Sequence, residues 1–92
     1  MDKKKTYKQL ERLVKGFSNH RRIQIIELLK KEPELSVFDI SDELEVNFKT
    51  IAHHIKSLAV AGLVIKRYDN HSVRHKLTKN GKEILKFLRT LE

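Results

Sequence analysis

Two runs with helical spacing of apolar residues meet in this chain with almost no connection between them. In ELSVFDISDEL, Ser36 and Asp39 form a capping box, and Val37, Ile40 and Leu44 then share one face of a short helix ending near Glu43 or Leu44. Asn47 is a good N-cap for the next run, in which Ile51, Ile55 and Leu58 repeat at i, i+4 and i+7. A connection of only three or four residues obliges the two helices to cross steeply, the helix-turn-helix arrangement.

The remaining elements follow from periodicity and caps. Tyr7, Leu10, Leu13, Val14 and Phe17 form a helical stripe, predicting a helix from Thr6 to Phe17. Ser18 or Asn19 can cap a second helix carrying Ile23, Ile25, Ile26, Leu28 and Leu29, closed by Lys30 and Lys31 before Pro33. Its apolar face is broad, so it is expected at the centre of the core. The fourth helix has a readable stop: Gly62 at C′ permits a left-handed residue, and Leu63 at C″ can pack back on Leu58. LVIKRYD and SVRHKLT, separated by residues 69–72, then read as a β-hairpin with Lys66, Arg67, Arg74 and Lys76 on an outward basic side. Thr78 can cap a last helix with Ile84, Leu85, Phe87, Leu88 and Leu91 apolar. The order α-α-α-α-β-β-α, mainly helical with one small hairpin, is that of a winged helix-turn-helix. The sole Pro and the three Gly are all read as marking element ends.

Ninety-two residues support one domain, spanning 1–92, and no repeat, low-complexity segment or linker divides them. The absence of Cys excludes disulfides, thiolate metal sites and a Cys nucleophile. The basic start lacks an apolar run after it, and no stretch approaches the roughly 18 apolar residues of a membrane span, so a cytoplasmic protein is expected. A net charge of +8 points to a polyanion. That charge is sorted: residues 1–31 carry +7, residues 32–46 carry −6, and residues 47–92 carry +7. Distinct elements with distinct tasks are the natural reading.

On the fourth helix, a rotation of about 100° per residue turns Ile51, Ile55 and Leu58 to the core and Lys49, His53, Lys56 and Val60 away from it. A solvated polar face has that look too. Within a helix-turn-helix, however, the second helix (about 48–61) enters the major groove with its N-terminal residues nearest the bases. Lys49, Thr50 and His53 are then the base-reading residues, Lys suiting guanine and Thr a thymine methyl or a hydrogen bond. Lys56 reaches phosphate, and Asn47 can direct its amide to phosphate where the helix start favours an anion. His54 borders the core face and is either a structural residue or a phosphate contact. The adjacent His53 and His54 point about 100° apart and cannot chelate a metal together.

In the wing, residues 64–77, Lys66, Arg67, Arg74, Lys76 and the tip residue His71 are candidates for phosphate or minor-groove contact, with Arg74 foremost. The alternative is that these cations guard an exposed strand edge against aggregation. Arg21 and Arg22 either contact phosphate or flank a helix cap. Lys3, Lys4 and Lys5, within a disordered arm of residues 1–5, attract DNA without specificity. Asp39, Asp42 and Glu43 are expected to point away from DNA or to pair with nearby cations. Tyr7, Leu10, Val14 and Phe17 on the first helix and Ile84, Leu88 and Leu91 on the last exceed what a shell of this size needs. Helices 6–17 and 79–92 are therefore expected to pair two copies, placing recognition helices about 34 Å apart on a pseudo-palindromic duplex.

FSNHRRIQIIELL, ELSVFDISDEL, NFKTIAHHIKSLAVAGLV and the hairpin leading to KLTKNGKEIL resemble, in order and spacing, the ArsR-like winged-helix transcriptional regulators over residues 10–85. TIAHHIKSLAVAGLV is the most specific part. The resemblance implies a homodimer that represses from a two-fold operator and often releases it on binding an effector. Three departures stand out. Where metal-sensing relatives have a Cys pair, in a segment resembling ELCVCDL, this chain has Ser36 and Phe38. Residues 79–92 lack the Asp and His of relatives that sense zinc on the last helix. Glu45 replaces the Gly usual in the turn, which implies a non-Gly residue at positive φ. No cofactor or metal is expected, and the member is read as non-metal-sensing. A winged-helix protein-interaction module, tolerant of Lys49→Ala and His53→Ala, is the competing function. An enzyme has little support from catalytic spacing, and RNA binding is a further alternative for which exposed aromatics to stack bases are scarce.

Overall fold

The computed structural model describes residues 4–92. Of the basic arm, Lys3 lies outside the described residues, while Lys4 and Lys5 form exposed, non-helical chain. The elements are α1 (Tyr7–Phe17), α2 (His20–Lys31), α3 (Val37–Leu44), α4 (Phe48–Val60), β1 (Val64–Asp69), β2 (Ser72–Leu77) and α5 (Lys79–Arg89).

Each helix starts at a side chain that satisfies otherwise orphaned backbone N–H groups. Thr6 and Gln9 form a reciprocal box at α1, and Ser36 and Asp39 form another at α3. Asn19 accepts from Arg21 and Arg22, Asn47 from Lys49 and Thr50, and Thr78 from Gly81. The end of α4 is a Schellman motif: the Leu63 N–H reaches the Leu58 carbonyl at 2.9 Å, the Gly62 N–H reaches Ala59 at 3.0 Å, and Gly62 has φ 79°.

The core is a wedge in which α2 is central. Ile25, Ile26 and Leu29 of α2, Ile40 of α3, Ile51, Ile55 and Leu58 of α4, and Leu63 are all essentially inaccessible. Burying each such side chain contributes about 1.5–3 kcal/mol. Glu45 adopts the left-handed conformation (φ 55°, ψ 45°), its N–H turned to the Ser41 and Asp42 carbonyls. The Ser41 hydroxyl donates to the Val46 carbonyl, so the turn is held by side chain and backbone together.

Two glycines do not mark element ends. Gly16 lies within α1, where a Cβ would collide with the Cβ of Ala61. Gly81 lies in the first turn of α5, where a Cβ would collide with the Leu63 carbonyl oxygen. Both allow one segment to cross another at close range.

The hairpin is tighter than its composition suggests. The strands reach Asp69 and Ser72, which pair, leaving Asn70 and His71 as the connection. A further link comes from the α2–α3 connection: the Glu34 N–H donates to the His75 carbonyl and the His75 N–H to the Leu35 carbonyl, each at 2.9 Å. The wing is therefore anchored to the segment just before α3, with Glu34 at φ 72°.

Candidate nucleic-acid interface

Lys49, Thr50, His53 and Lys56 are all exposed along α4, on the side away from the buried Ile51, Ile55 and Leu58. Phe48, the first residue of the helix, is half exposed beside them. Asn47 is exposed, with its side-chain oxygen occupied by the Lys49 and Thr50 N–H groups at 2.8 and 3.4 Å.

Behind this face, His54 is a structural residue. It is buried, and its Nδ1 accepts from Arg22 Nε at 3.0 Å. Burial, reinforced by the Arg22 charge, pushes the imidazole below its ordinary pKa. The acceptor role at Nδ1 requires the neutral tautomer with its proton on Nε2. Arg22 also points Nη1 at the carbonyls of Lys15 and Gly16, both at 3.4 Å. This arginine ties α1, α2 and α4 together, while Arg21 hydrogen-bonds Gln24 on its own helix. His75 is the second buried imidazole, its Nδ1 against the Leu35 carbonyl at 2.9 Å, and burial lowers its pKa as well. Sequence reasoning passed over His75 because a strand polar residue in a basic run resembles a surface residue.

The four wing cations do not share one outward side. Antiparallel partners project to the same face, so Arg67 with Arg74 and Ile65 with Lys76 occupy one face, and Lys66 with His75 the other. The buried His75 and Leu77 show that the second face is turned to the body. Lys66 accordingly lies beside Tyr68, Val73 and Lys56, in a groove between the wing and α4. The misreading arose because residues 66 and 67, as strand neighbours, must point oppositely.

The two arginines of the outer face are engaged internally. Arg67 reaches Glu34 Oε1 through Nε at 2.7 Å and Nη2 at 2.6 Å. The hydrogen bond from Arg67 holds the Glu34 carboxyl below its usual pKa. Arg74 donates to the Glu34 carbonyl at 3.0 Å and approaches the Asp69 carboxylate at 3.4 Å. Lys76 and the turn residue His71 are exposed. The acidic segment thus pairs with a wing cation through Glu34, whereas Asp39 caps α3 and is lowered in pKa by the Ser36 N–H. Asp42 and Glu43 are exposed, and the Glu43 carboxyl is raised by Glu32.

The terminal helices present a separate apolar surface. Tyr7, Leu10, Val14, Phe87 and Leu91 are exposed, Tyr7 at 92%. Ile84 and Leu88 are half-buried against the core, and Phe17 fills the monomer's own core. Phe17 is thus corrected from the outer stripe to the core: it closes α1 next to Gly16, where the helix end meets Ala61, although by rotation it lies close to the exposed Leu10.

Residues 19–66, which hold α2, the helix-turn-helix and the start of the wing, match the family described as bacterial regulatory proteins of the arsR family. The chain belongs to the arsR family of regulators. The arsenical resistance operon repressor of Staphylococcus aureus is 30% identical over 83 residues, covering 82% of this chain and 79% of that protein. The cadmium resistance transcriptional regulatory protein CadC of Listeria innocua is 31% identical over 83 residues, covering 86% of this chain and 60% of that protein. The chain thus spans about three-fifths of the length of this arsR-family relative. Among solved structures, HlyU from Vibrio cholerae superposes with a TM-score of 0.81 at 30% identity, covering 97% of each chain. A homodimeric winged helix-turn-helix DNA-binding domain from Mycobacterium bovis gives a TM-score of 0.82 at 23% identity, covering 99% and 89% of the two chains, a likeness of fold. The arsR family and the two relatives named above are regulators, not enzymes. Among the described residues, no helix is long and apolar enough to cross a membrane.

Proposed function

We propose that the chain is a dimeric, sequence-specific repressor of transcription that binds a pseudo-palindromic duplex in the cytoplasm without a metal. The observation that carries this reading is the exposed row Lys49, Thr50, His53 and Lys56 on a helix whose other side is locked by Asn47, His54 and the core. Rigid support of that kind suits a helix that must present side chains to base edges. Lys49, Thr50 and His53 read bases, Lys56 and the Asn47 amide contact phosphate, and the wing follows the backbone through Lys66, Lys76 and His71. Arg67 and Arg74 reach DNA only by leaving Glu34 and Asp69. Two copies pair through Tyr7, Leu10, Val14 and Leu91, with Phe87 added to that set and Ile84 and Leu88 beneath it. The name of the Staphylococcus aureus relative, a repressor, supports repression, and Ser36 and Phe38 supply no thiolate for the cadmium or arsenic that the relatives' names mention.

Selection from random duplex DNA, followed by affinity measurement at two salt concentrations, tests the reading. An inverted repeat is expected, with log K falling linearly in log salt and with Lys49→Ala and His53→Ala weakening binding. No enrichment, with both variants behaving as the parent, would establish the protein-interaction module instead.

A further inference from the structure

The row on α4 that carries His53 and Lys56 is also one wall of a cleft whose other wall is α1. The cleft encloses about 370 Å³ and is lined by Arg12, Lys15 and Gly16 of α1 and by His53, Lys56 and Val60 of α4, with Ser57 and Ala61 at its base. That volume lies within the ordinary range of small-ligand sites. Its shape has a covalent origin: Gly16 lacks the Cβ that would meet Ala61, so the helices close on each other there and open towards the charged rim.

Three cations and an imidazole converge on this opening, and no carboxylate lines it. Lys15 pairs with Glu11 at 2.9 Å along its own helix, an exposed pair that solvent screens. Among the described residues, Arg12, His53 and Lys56 have no side-chain hydrogen bond or ion pair. Like charges around an apolar floor, with only the exposed Glu11 carboxylate beside one of them, favour an anion with an apolar body. At about 100° per residue, Arg12 and Lys15 lie about 160° and 100° around α1 from Val14, so pairing through the Tyr7–Leu10–Val14 stripe leaves the mouth open.

We propose that this cleft binds a small amphipathic carboxylate, with its charged group among Arg12, Lys15 and Lys56 and its apolar body over Gly16, Val60 and Ala61, and that the bound ligand opposes DNA binding. The opposition rests on the DNA-binding reading above, since it arises from the sharing of His53 and Lys56 between the two ligands. Coupling of this kind is reciprocal: DNA weakens the carboxylate by the factor by which the carboxylate weakens DNA.

The test uses 2-naphthoate and its neutral counterpart, 2-naphthalenemethanol, with amide chemical-shift mapping on the full chain. Saturable shifts centred on Gly16, Ser57 and Ala61 are expected with the carboxylate, with binding about tenfold weaker for the alcohol. Arg12→Glu is expected to weaken naphthoate by about tenfold, whereas Lys79→Glu, the same charge change outside the cleft, leaves it within about twofold. Sodium 2-naphthoate should weaken duplex binding more than equal sodium chloride does, and Arg12→Glu should remove the difference. Equal response to acid and alcohol, equal effects of the two charge reversals, or shifts centred on Tyr7 and Phe87 would each overturn the site. Cleft shifts in a protein that binds no duplex would retain the site and refute the DNA reading. Duplex binding without cleft shifts would do the reverse.

Discussion

Replacing Glu34 by Gln should strengthen DNA binding at low salt, although it deletes the best-made ion pair in the wing. Glu34 Oε1 receives both Nε and Nη2 of Arg67, at 2.7 and 2.6 Å. Gln keeps the size and one acceptor but carries no charge to retain the guanidinium. The pair is partly exposed, with side-chain accessibilities of 54% for Arg67 and 34% for Glu34, so solvent screening leaves it little weight in folding and the variant should melt near the parent. The Arg74 bond to the Glu34 carbonyl is to backbone and survives the change. What changes is the cation available to phosphate. Each added phosphate contact steepens the dependence of log K on log salt by about 0.9, so two released wings in a dimer add about 1.8. Over a fourfold rise in salt, from about 50 to about 200 mM, the variant should lose about tenfold more affinity than the parent does. Fluorescence anisotropy on the selected duplex measures both slopes. Arg67→Gln should leave the parent slope nearly unaltered, because Arg67 is already held, and Glu34→Gln with Arg67→Gln should return to it. The lowered pKa of Glu34 means that the pair is complete above the ordinary carboxylate range and is lost only as pH falls through the depressed value, so the comparison holds from about pH 6 to about pH 8. A Glu34→Gln protein that melts like the parent and shows the parent slope, with Arg67→Gln also at that slope, would refute the placement of Arg67 on the DNA backbone.

Three further outcomes concern the frame that holds the interface. Glu45→Gly should raise stability relative to Glu45→Ala by about 1 kcal/mol, since φ 55° strains any residue with a Cβ, and both variants remove the same charge. Thermal melts separate them by about 4–8 °C; coincident melts would mean that the turn bears no strain. Gly81→Ala should destabilise by about 1–3 kcal/mol in urea titrations, because the new Cβ meets the Leu63 carbonyl, a backbone atom that cannot swing aside. His54 and His75 both have lowered pKa values, so the unfolded chain takes up protons that the folded one refuses. Stability should be complete above the ordinary imidazole value of 6.5 and fall as pH drops below it, and His54→Gln with His75→Gln should flatten that fall. An unchanged pH profile in the double variant would place the dependence elsewhere.

What was legible in the sequence is what local chemistry determines. Caps at Thr6, Asn19, Ser36, Asn47 and Thr78 announced their helices because a side-chain oxygen two or three residues from an N–H needs no tertiary information. The exposed face of α4 was legible for a similar reason, as Ile51, Ile55 and Leu58 leave only one side for Lys49, His53 and Lys56. Contacts distant in sequence were not. Glu34 to Arg67, Arg22 to His54 and Leu35 to His75 span 30 residues or more, and no spacing rule brings them together. Gly16 and Gly81 looked like punctuation because the reason for each, a crossing segment, lies elsewhere in the chain.

The acidic middle also changes how the charge of the protein should be counted. With Arg67 held by Glu34, and Arg74 by the Glu34 carbonyl and Asp69, the cations proposed for phosphate on α4 and the wing reduce to Lys56, Lys66 and Lys76, none of which has an ion pair among the described residues. Three per protomer give a dimer a salt slope of about −5, against about −9 if both arginines also reached phosphate. The shallower slope favours discrimination, because electrostatic attraction to any duplex is trimmed while the proposed base-reading end of α4 is untouched. On the proposed DNA-binding reading, segment 32–46 works by restraint: Glu34 holds a wing arginine back from indiscriminate contact, and Asp39 is committed to the cap of α3. A measured slope near −9 on the selected duplex would show both arginines released on binding and would reduce Glu34 to a latch of the free protein alone.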